Sequence, residues 1–263
     1  MQRTIPSRRA AVFMALDGTI SENGQPPSPR MAAALRTMRR NGHLIYFCTG
    51  RALCEVGEEY RRIGYDGLVT LAGAYVEAGG RRLCQAVWPR DLTRAVLGIC
   101  EEESINCIFE SNTQVIQFSP SGQSHWRHTP IVRSAKELQE TQPGFQISKM
   151  VLHHTFMPRF QAHRAQYAGQ LTFLDSAATA SEITLTGFDK GTGIRRILDY
   201  LGRDLADSFG IGDSENDIGM LDTVETAIAM GNAMEQLKSH ADYVTSTVGE
   251  DGAYWAFRHF GLL

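Results

Sequence analysis

Three short clusters in this 263-residue sequence carry side chains suited to phosphate and metal chemistry. They are Asp17-Gly18-Thr19, Thr49-Gly50-Arg51 and Gly212-Asp213-Ser214-Glu215-Asn216-Asp217, with Lys190 as a separate cation. Carboxylates at Asp17, Asp213 and Asp217 are hard oxygen donors and suggest Mg²⁺. Threonine hydroxyls, the Asn216 amide, the Lys190 ammonium and backbone N–H groups at helix starts suggest a phosphoryl group. A single Asp-Gly after a strand is ordinarily a turn. The weight lies in four such pieces falling at one edge of one sheet.

The elements that would position them are readable from hydrophobic pattern. Short apolar runs at 12–16, 44–48 and 68–71 read as buried strands. Between them, Met31, Leu35 and Met38 recur at helical spacing behind a Ser28 cap and Pro29, and a second helix runs through Val56 and Tyr60 towards Gly64. The rhythm returns with a helix at 194–201, strands at 207–211, 227–230 and 243–244, and helices beginning at 217 and 234 and ending at 260. Alternating strand and helix predicts an α/β fold, a doubly wound, Rossmann-like parallel-sheet core. In such sheets ligands bind beyond the carboxyl ends of the strands, where strand order reverses. The texture changes between 83 and 186, with a helix at 92–103, strand-like runs at 107–110, 115–118, 149–155 and 171–174, and a short helix near 159–167. This predicts an α+β cap domain (83–186) inserted into a core domain formed by 1–82 and 187–263.

Composition bounds the remaining possibilities. Net charge is −3, from 26 Lys plus Arg against 29 Asp plus Glu, which supports neither nucleic acid nor an anionic membrane as partner. No apolar run approaches the roughly 20 residues that span a bilayer. The run at 11–16 is shorter than a secretory core of roughly 7–15 residues and reads as a strand. Five scattered cysteines, without a CxxC pair, read as reduced thiols of a cytoplasmic protein. Five of the eight histidines (His125, His128, His153, His154, His163) fall in the insertion. His153 and His154 are adjacent on an expected strand and point to opposite faces, so a surface or core-edge role is expected rather than a metal site. Trp126 reads as a packing anchor, with stacking on a substrate ring as the alternative. Glu101-Glu102-Glu103 reads as a solvated helix end.

With these residues in place, the chain resembles a haloacid dehalogenase-superfamily phosphatase of the Cof type, which carries a large α/β cap. Residues 12–20 align with the first motif, an apolar strand followed by Asp-x-Asp-Gly-Thr; Cys48-Thr49-Gly50-Arg51 matches the second, Lys190-Gly191 the third and residues 212–217 the fourth. Residues 229–233 and Glu250-Asp251-Gly252 also look like late segments of this subgroup. The resemblance implies Mg²⁺-dependent hydrolysis of small phosphorylated metabolites through an aspartyl-phosphate, with sugar phosphates, pyridoxal phosphate and flavin mononucleotide among the candidates. It implies Asp17 as acid/base, Thr49 and Lys190 gripping phosphate with Gly18, Gly50, Arg51 and Asn216, and metal held by the Asp17 carbonyl and Asp213. Asp217 would act on the metal through water or through Lys190.

One position departs from that pattern. The nucleophile, which is also a metal ligand, is replaced by Ala15. Because Asp17, Thr49, Lys190, Asp213, Asn216 and Asp217 are all retained, the chain reads as an inactivated Asp-to-Ala variant. The alternatives are a natural pseudo-phosphatase that binds a phosphorylated metabolite without turnover, and a phosphomutase on the same scaffold. Loss of the carboxylate is expected to weaken metal binding and to retain or tighten phosphate-ester binding. Ala72 stands where the subgroup often has the Asn of Asn-Gly-Ala, a second departure. A monomer or homodimer is expected.

Overall fold

The computed structural model describes residues 9–22, 24–124, 129–177 and 179–263; the expectations for His125, Trp126 and His128 lie outside them. The chain divides into two compact units. Of the described residues, those within 9–51, 55–85 and 189–263 form the first, and those within 52–54 and 86–188 the second.

The first unit is built on eight strands. These are β1 (Ala11–Met14), β2 (Leu44–Cys48), β3 (Gly67–Thr70), β4 (Tyr75–Ala78) and β5 (Arg81–Gln85), then, after six strands of the second unit, β12 (Ser208–Gly212), β13 (Thr226–Ala229) and β14 (Tyr243–Val244). Their order is β14-β13-β12-β1-β2-β3-β4-β5. β1 is central and fully buried, which is why its sequence is an unbroken apolar run. The pairings from β14 to β3 are all parallel. Met14 lies opposite both Phe47 and Ile211, so β1, β2 and β12 end at one level. Strand order reverses between β12 and β1, and that carboxyl edge is where the three chemical clusters emerge.

Helix Pro29–Arg40 starts as its sequence predicts: the Ser28 side chain accepts from the Met31 N–H at 3.0 Å, and Met31, Leu35 and Met38 are buried. Helix Lys190–Leu201 begins with a reciprocal cap between Asp189 and Thr192 and ends at Gly202, whose φ is +62°. Gly191 and Gly193 let it pack closely, because a Cβ at either would lie 2.2 Å from the Gly219 carbonyl oxygen or 2.6 Å from Val69.

Several expectations are corrected. β1 stops at Met14, so Ala15 and Leu16 open the loop rather than close the strand. β3 stops at Thr70, and Leu71-Ala72-Gly73 turns with three successive positive φ values (52°, 51° and 104°). The sheet is not wholly parallel: β4 and β5 form an antiparallel hairpin at its edge. Gly79 and Gly80, both at positive φ, make the two-residue turn that suits such a hairpin. The expected boundary at 82/83 therefore falls inside β5.

The second unit has β6 (Cys107–Glu110), β7 (Val115–Phe118), β8 (Ile131–Val132), β9 (Lys149–His153), β10 (Leu171–Ala177) and β11 (Ala180–Leu185), in the order β10-β11-β9-β6-β7-β8. β11 and the helix Ala135–Thr141 were not expected from sequence. Phe109, Phe118, Met150 and Ile183 turn one face of this sheet into a buried cluster with Leu92, Val96 and Leu97 of helix Arg90–Glu102. His154 follows β9 instead of lying within it, and the His153 ring accepts from the Thr155 N–H at 3.1 Å.

A buried ionic triad crosses three neighbouring strands of this unit. The Lys149 ammonium lies 3.0 Å from Glu110 and 2.6 Å from Glu182, and all three residues are buried. Burial acts to lower the lysine pKa, but the two carboxylates outweigh it and hold the ammonium charged. Replacing Lys149 by Met removes the ammonium that both buried carboxylates contact. We expect Lys149→Met to lose about 3–5 kcal/mol in urea unfolding at pH 7, with part of the loss recovered at acid pH; a wild-type midpoint at pH 7 contradicts the assignment.

Candidate active site

The loop after β1 is held from both sides. The Ala15 N–H still donates to the Ile211 carbonyl at 3.0 Å, and the N–H groups of Ile20 and Ser21 return to the Leu16 carbonyl at 3.1 Å. Gly18 turns the chain at φ +72°, and a Cβ there would lie 2.2 Å from Asp213 Oδ2. The Thr19 hydroxyl donates to Asp213 Oδ1 at 2.9 Å, which fastens this loop to the one after β12. Asn232 bridges further: its amide donates to the Gly18 carbonyl at 2.8 Å and its oxygen accepts from the Val248 N–H at 2.9 Å.

Asp17 is gripped by Arg51 through two parallel bonds, Nε to Oδ2 at 2.7 Å and Nη2 to Oδ1. The Arg51 N–H donates to the Thr49 hydroxyl at 3.1 Å, so the second cluster orients its own arginine. Beneath Arg51 lies the ring of Tyr60, fully buried, 5.8 Å from the guanidinium carbon. The Tyr60 hydroxyl lies 2.7 Å from the Ser21 hydroxyl, which ties helix Glu58–Ile63 to the β1 loop. Burial raises the Tyr60 pKa, so the phenol stays protonated at neutral pH.

The loop after β12 is organised by Asp217. Its Oδ2 accepts from the N–H groups of Asp213 and Ser214 at 2.9 and 3.0 Å, and its Oδ1 accepts from the Lys190 ammonium at 2.5 Å. Lys190 also donates to Asn216 Oδ1 at 2.6 Å, and the Ser214 hydroxyl donates to the same oxygen at 3.0 Å. Gly212 makes the approach possible, because a Cβ there would meet the Asp217 carboxyl carbon at 2.5 Å.

The charges do not balance locally. Arg51 answers Asp17 and Lys190 answers Asp217, whereas Asp213 has the Thr19 hydroxyl and, among the described residues, no cation in direct contact. Burial pushes the Asp213 carboxyl up to about 7, with the Asp217 charge adding to it and Asp17 contributing less, against the Thr19 hydrogen bond and Lys190. A carboxylate so placed is suited to a hard dication. Asp213 is a hard oxygen donor of the kind that Mg²⁺ takes. The Ala15 side chain carries no donor atom, and among the described residues no three His, Cys, Asp or Glu side chains form a group that could hold a metal ion.

Hydrogen bonds thus join Asp17, Arg51 and Thr49 in one set and Lys190, Asp213, Asn216 and Asp217 in another, and the Asp17-Gly18-Thr19 turn connects the two through the bond from Thr19 to Asp213. Ala15 stands at its strand end, and Gly50 lies between Thr49 and Arg51. Sequence reasoning assigned no role to Ser21, Tyr60 or Asn232. Asn232 falls in the 229–233 segment that the family resemblance had marked; Tyr60 carried only helical spacing. Asp217 binds backbone and Lys190, a structural duty in addition to the one expected.

A family model described as haloacid dehalogenase-like hydrolase matches residues 12–257. Phosphatase YwpJ of Bacillus subtilis is 26% identical over 287 aligned positions, covering 94% of this chain and 98% of that protein. The 5-amino-6-(5-phospho-D-ribitylamino)uracil phosphatase YcsE of the same species is 23% identical, covering 95% of both chains. Among solved structures, a HAD subclass IIB sugar phosphatase superposes with a TM-score of 0.83 at 25% identity, covering 97% of this chain and all of the other.

Gly18 offers a test of how the loops are coupled. Its positive φ and the 2.2 Å approach to Asp213 leave no room for a methyl group. We expect Gly18→Ala to cost about 1–3 kcal/mol in urea unfolding; an unchanged midpoint contradicts the close packing of the two loops.

Proposed function

The chain belongs to the haloacid dehalogenase-like hydrolases, and on that premise we propose that its site is a Mg²⁺-dependent phosphomonoesterase for small phosphorylated metabolites, silenced at the nucleophile position by Ala15. The observation that carries this reading is one cluster at a single sheet edge: an acid gripped by an arginine and a hydroxyl beside it, after β1 and β2, and a buried lysine whose ammonium reaches from its helix start to the loop after β12.

In this reading Thr49 and Lys190 bind and orient the phosphoryl group, with backbone N–H groups of the loops meeting its oxygens. Asn216 and Asp217 hold the Lys190 ammonium in place. Asp17 lies at the mouth of β1, where it donates a proton to the leaving oxygen and later takes one from the attacking water. Arg51 fixes the orientation of Asp17 while that carboxylate is charged. Mg²⁺, held by Asp213 and the Asp17 carbonyl, would neutralise charge on the phosphoryl oxygens. The missing part is covalent: the Ala15 methyl cannot attack phosphorus. The chain as it stands binds a phosphate ester and does not cleave it.

Restoring the carboxylate tests this reading. We expect Ala15→Asp, assayed with Mg²⁺ on a panel of sugar, nucleotide and coenzyme phosphates, to raise hydrolysis of at least one ester by about 10³-fold or more over the Ala15 chain. EDTA should abolish the gain. A folded Ala15→Asp protein that hydrolyses none of the panel contradicts the phosphatase reading.

A further inference from the structure

The second unit contains a cavity of about 530 Å³ between helix Arg90–Glu102, helix Ala135–Thr141 and the segment that follows them. That volume lies within the roughly 300–1,000 Å³ range of small-molecule sites. Its apolar lining includes Trp88, Leu97 and Phe145. Trp88 is nearly buried, and its indole N–H is already spent on the Ser148 carbonyl at 3.0 Å, so the ring is held in one orientation.

The polar lining has one sign. Arg90 and Arg94 contribute two guanidinium groups, and among the described residues no Asp or Glu lines the cavity. Arg94 has one acidic neighbour, Asp91, at 3.5 Å, and both side chains are more than four-fifths exposed, a geometry worth little in water. Arg90, Gln139 and Gln146 are exposed, and no side-chain hydrogen bond or ion pair engages them among the described residues. In a chain of net charge −3, a cavity with two available arginines, free amides and an aromatic wall is selective for an anion.

We propose that this cavity binds an anionic aromatic small molecule, its ring against Trp88 and Phe145 and its anionic group at Arg90 and Arg94. A guanidinium pair takes a carboxylate or a phosphate equally well, and the glutamine amides offer both donors and acceptors to the edge of a ring. Nothing in this assignment depends on the phosphatase reading, because every lining residue belongs to the second unit.

The test is fluorescence titration of the full chain with 8-anilinonaphthalene-1-sulfonate, an anionic aromatic probe. Saturable binding with one site per chain is expected. The Arg90→Ala/Arg94→Ala double variant, altered at exposed positions, should keep its melting temperature and bind on the order of tenfold more weakly. The uncharged analogue N-phenyl-1-naphthylamine should bind the native chain more weakly by a similar factor. Displacement by indole-3-acetate assigns a carboxylate ligand, and displacement by AMP a phosphate ligand. Equal affinity in the folded double variant, equal affinity for the uncharged probe, or displacement by neither competitor overturns the proposal. So does a dimer in sedimentation velocity that the double variant dissociates, which would make the cavity an interface between copies.

Discussion

The contact between Lys190 and Asp217 is the constraint around which the first unit's site is arranged. Both side chains are buried and lie 2.5 Å apart. A buried charge is tolerated only when it is paired and its remaining lone pairs are used. Asp217 meets that condition by accepting from two backbone N–H groups as well as from lysine, and the loop after β12 takes its shape from those bonds. The shape in turn requires Gly212, where any side chain would overlap the Asp217 carboxyl. Lys190 stands at the first turn of its helix because Asp189 caps it, and Gly191 lets that turn press against Gly219. One ion pair thus explains a capping residue, two glycines and a loop.

The same framework bears on the proposed role of position 15. Among positions 17, 51, 190, 213 and 217 three carboxylates meet two cations, Arg51 pairing with Asp17 and Lys190 with Asp217, and the acid left over is Asp213. A carboxylate added at position 15 would increase that excess, so a nucleophile there and a cation beside Asp213 belong together. In the proposed reading, the site without it keeps its phosphate-orienting groups and loses both the attacking atom and one metal ligand. In the proposed reading this converts a catalyst into a binder while leaving the supporting hydrogen bonds unchanged.

Much of this was legible in the sequence because local rules and tertiary structure agree there. The apolar run of β1, the Ser28-Pro29 helix start and the Asp-rich loop at 212–217 each announce themselves by residue type and spacing. What escaped reading was set by distant contacts. β11 carries Ser181, Glu182 and Thr184, which look like solvent-facing polarity until Lys149 supplies the partner that buries Glu182. Helix Ala135–Thr141 is polar on most sides and buries only Leu138, too little for a periodic signal. The Gly79-Gly80 pair carries a turn signal in its residue types, but it lies close to the expected change of domain at 82/83. At the site, the identities of the acids were visible, whereas the grip of Arg51 on Asp17 and its support by Tyr60 arise from residues brought together across the sheet edge.

The site's chemistry is most directly examined by mass spectrometry of the Ala15→Asp protein, acid-quenched during turnover of a phosphate ester and digested. A phosphatase site restored at that position yields a phosphoryl group on the peptide bearing residue 15, and the unchanged chain yields none. Turnover without a phosphoryl group on that peptide, or equal turnover by the Ala15 chain, would contradict the assignment of position 15 as the seat of the nucleophile.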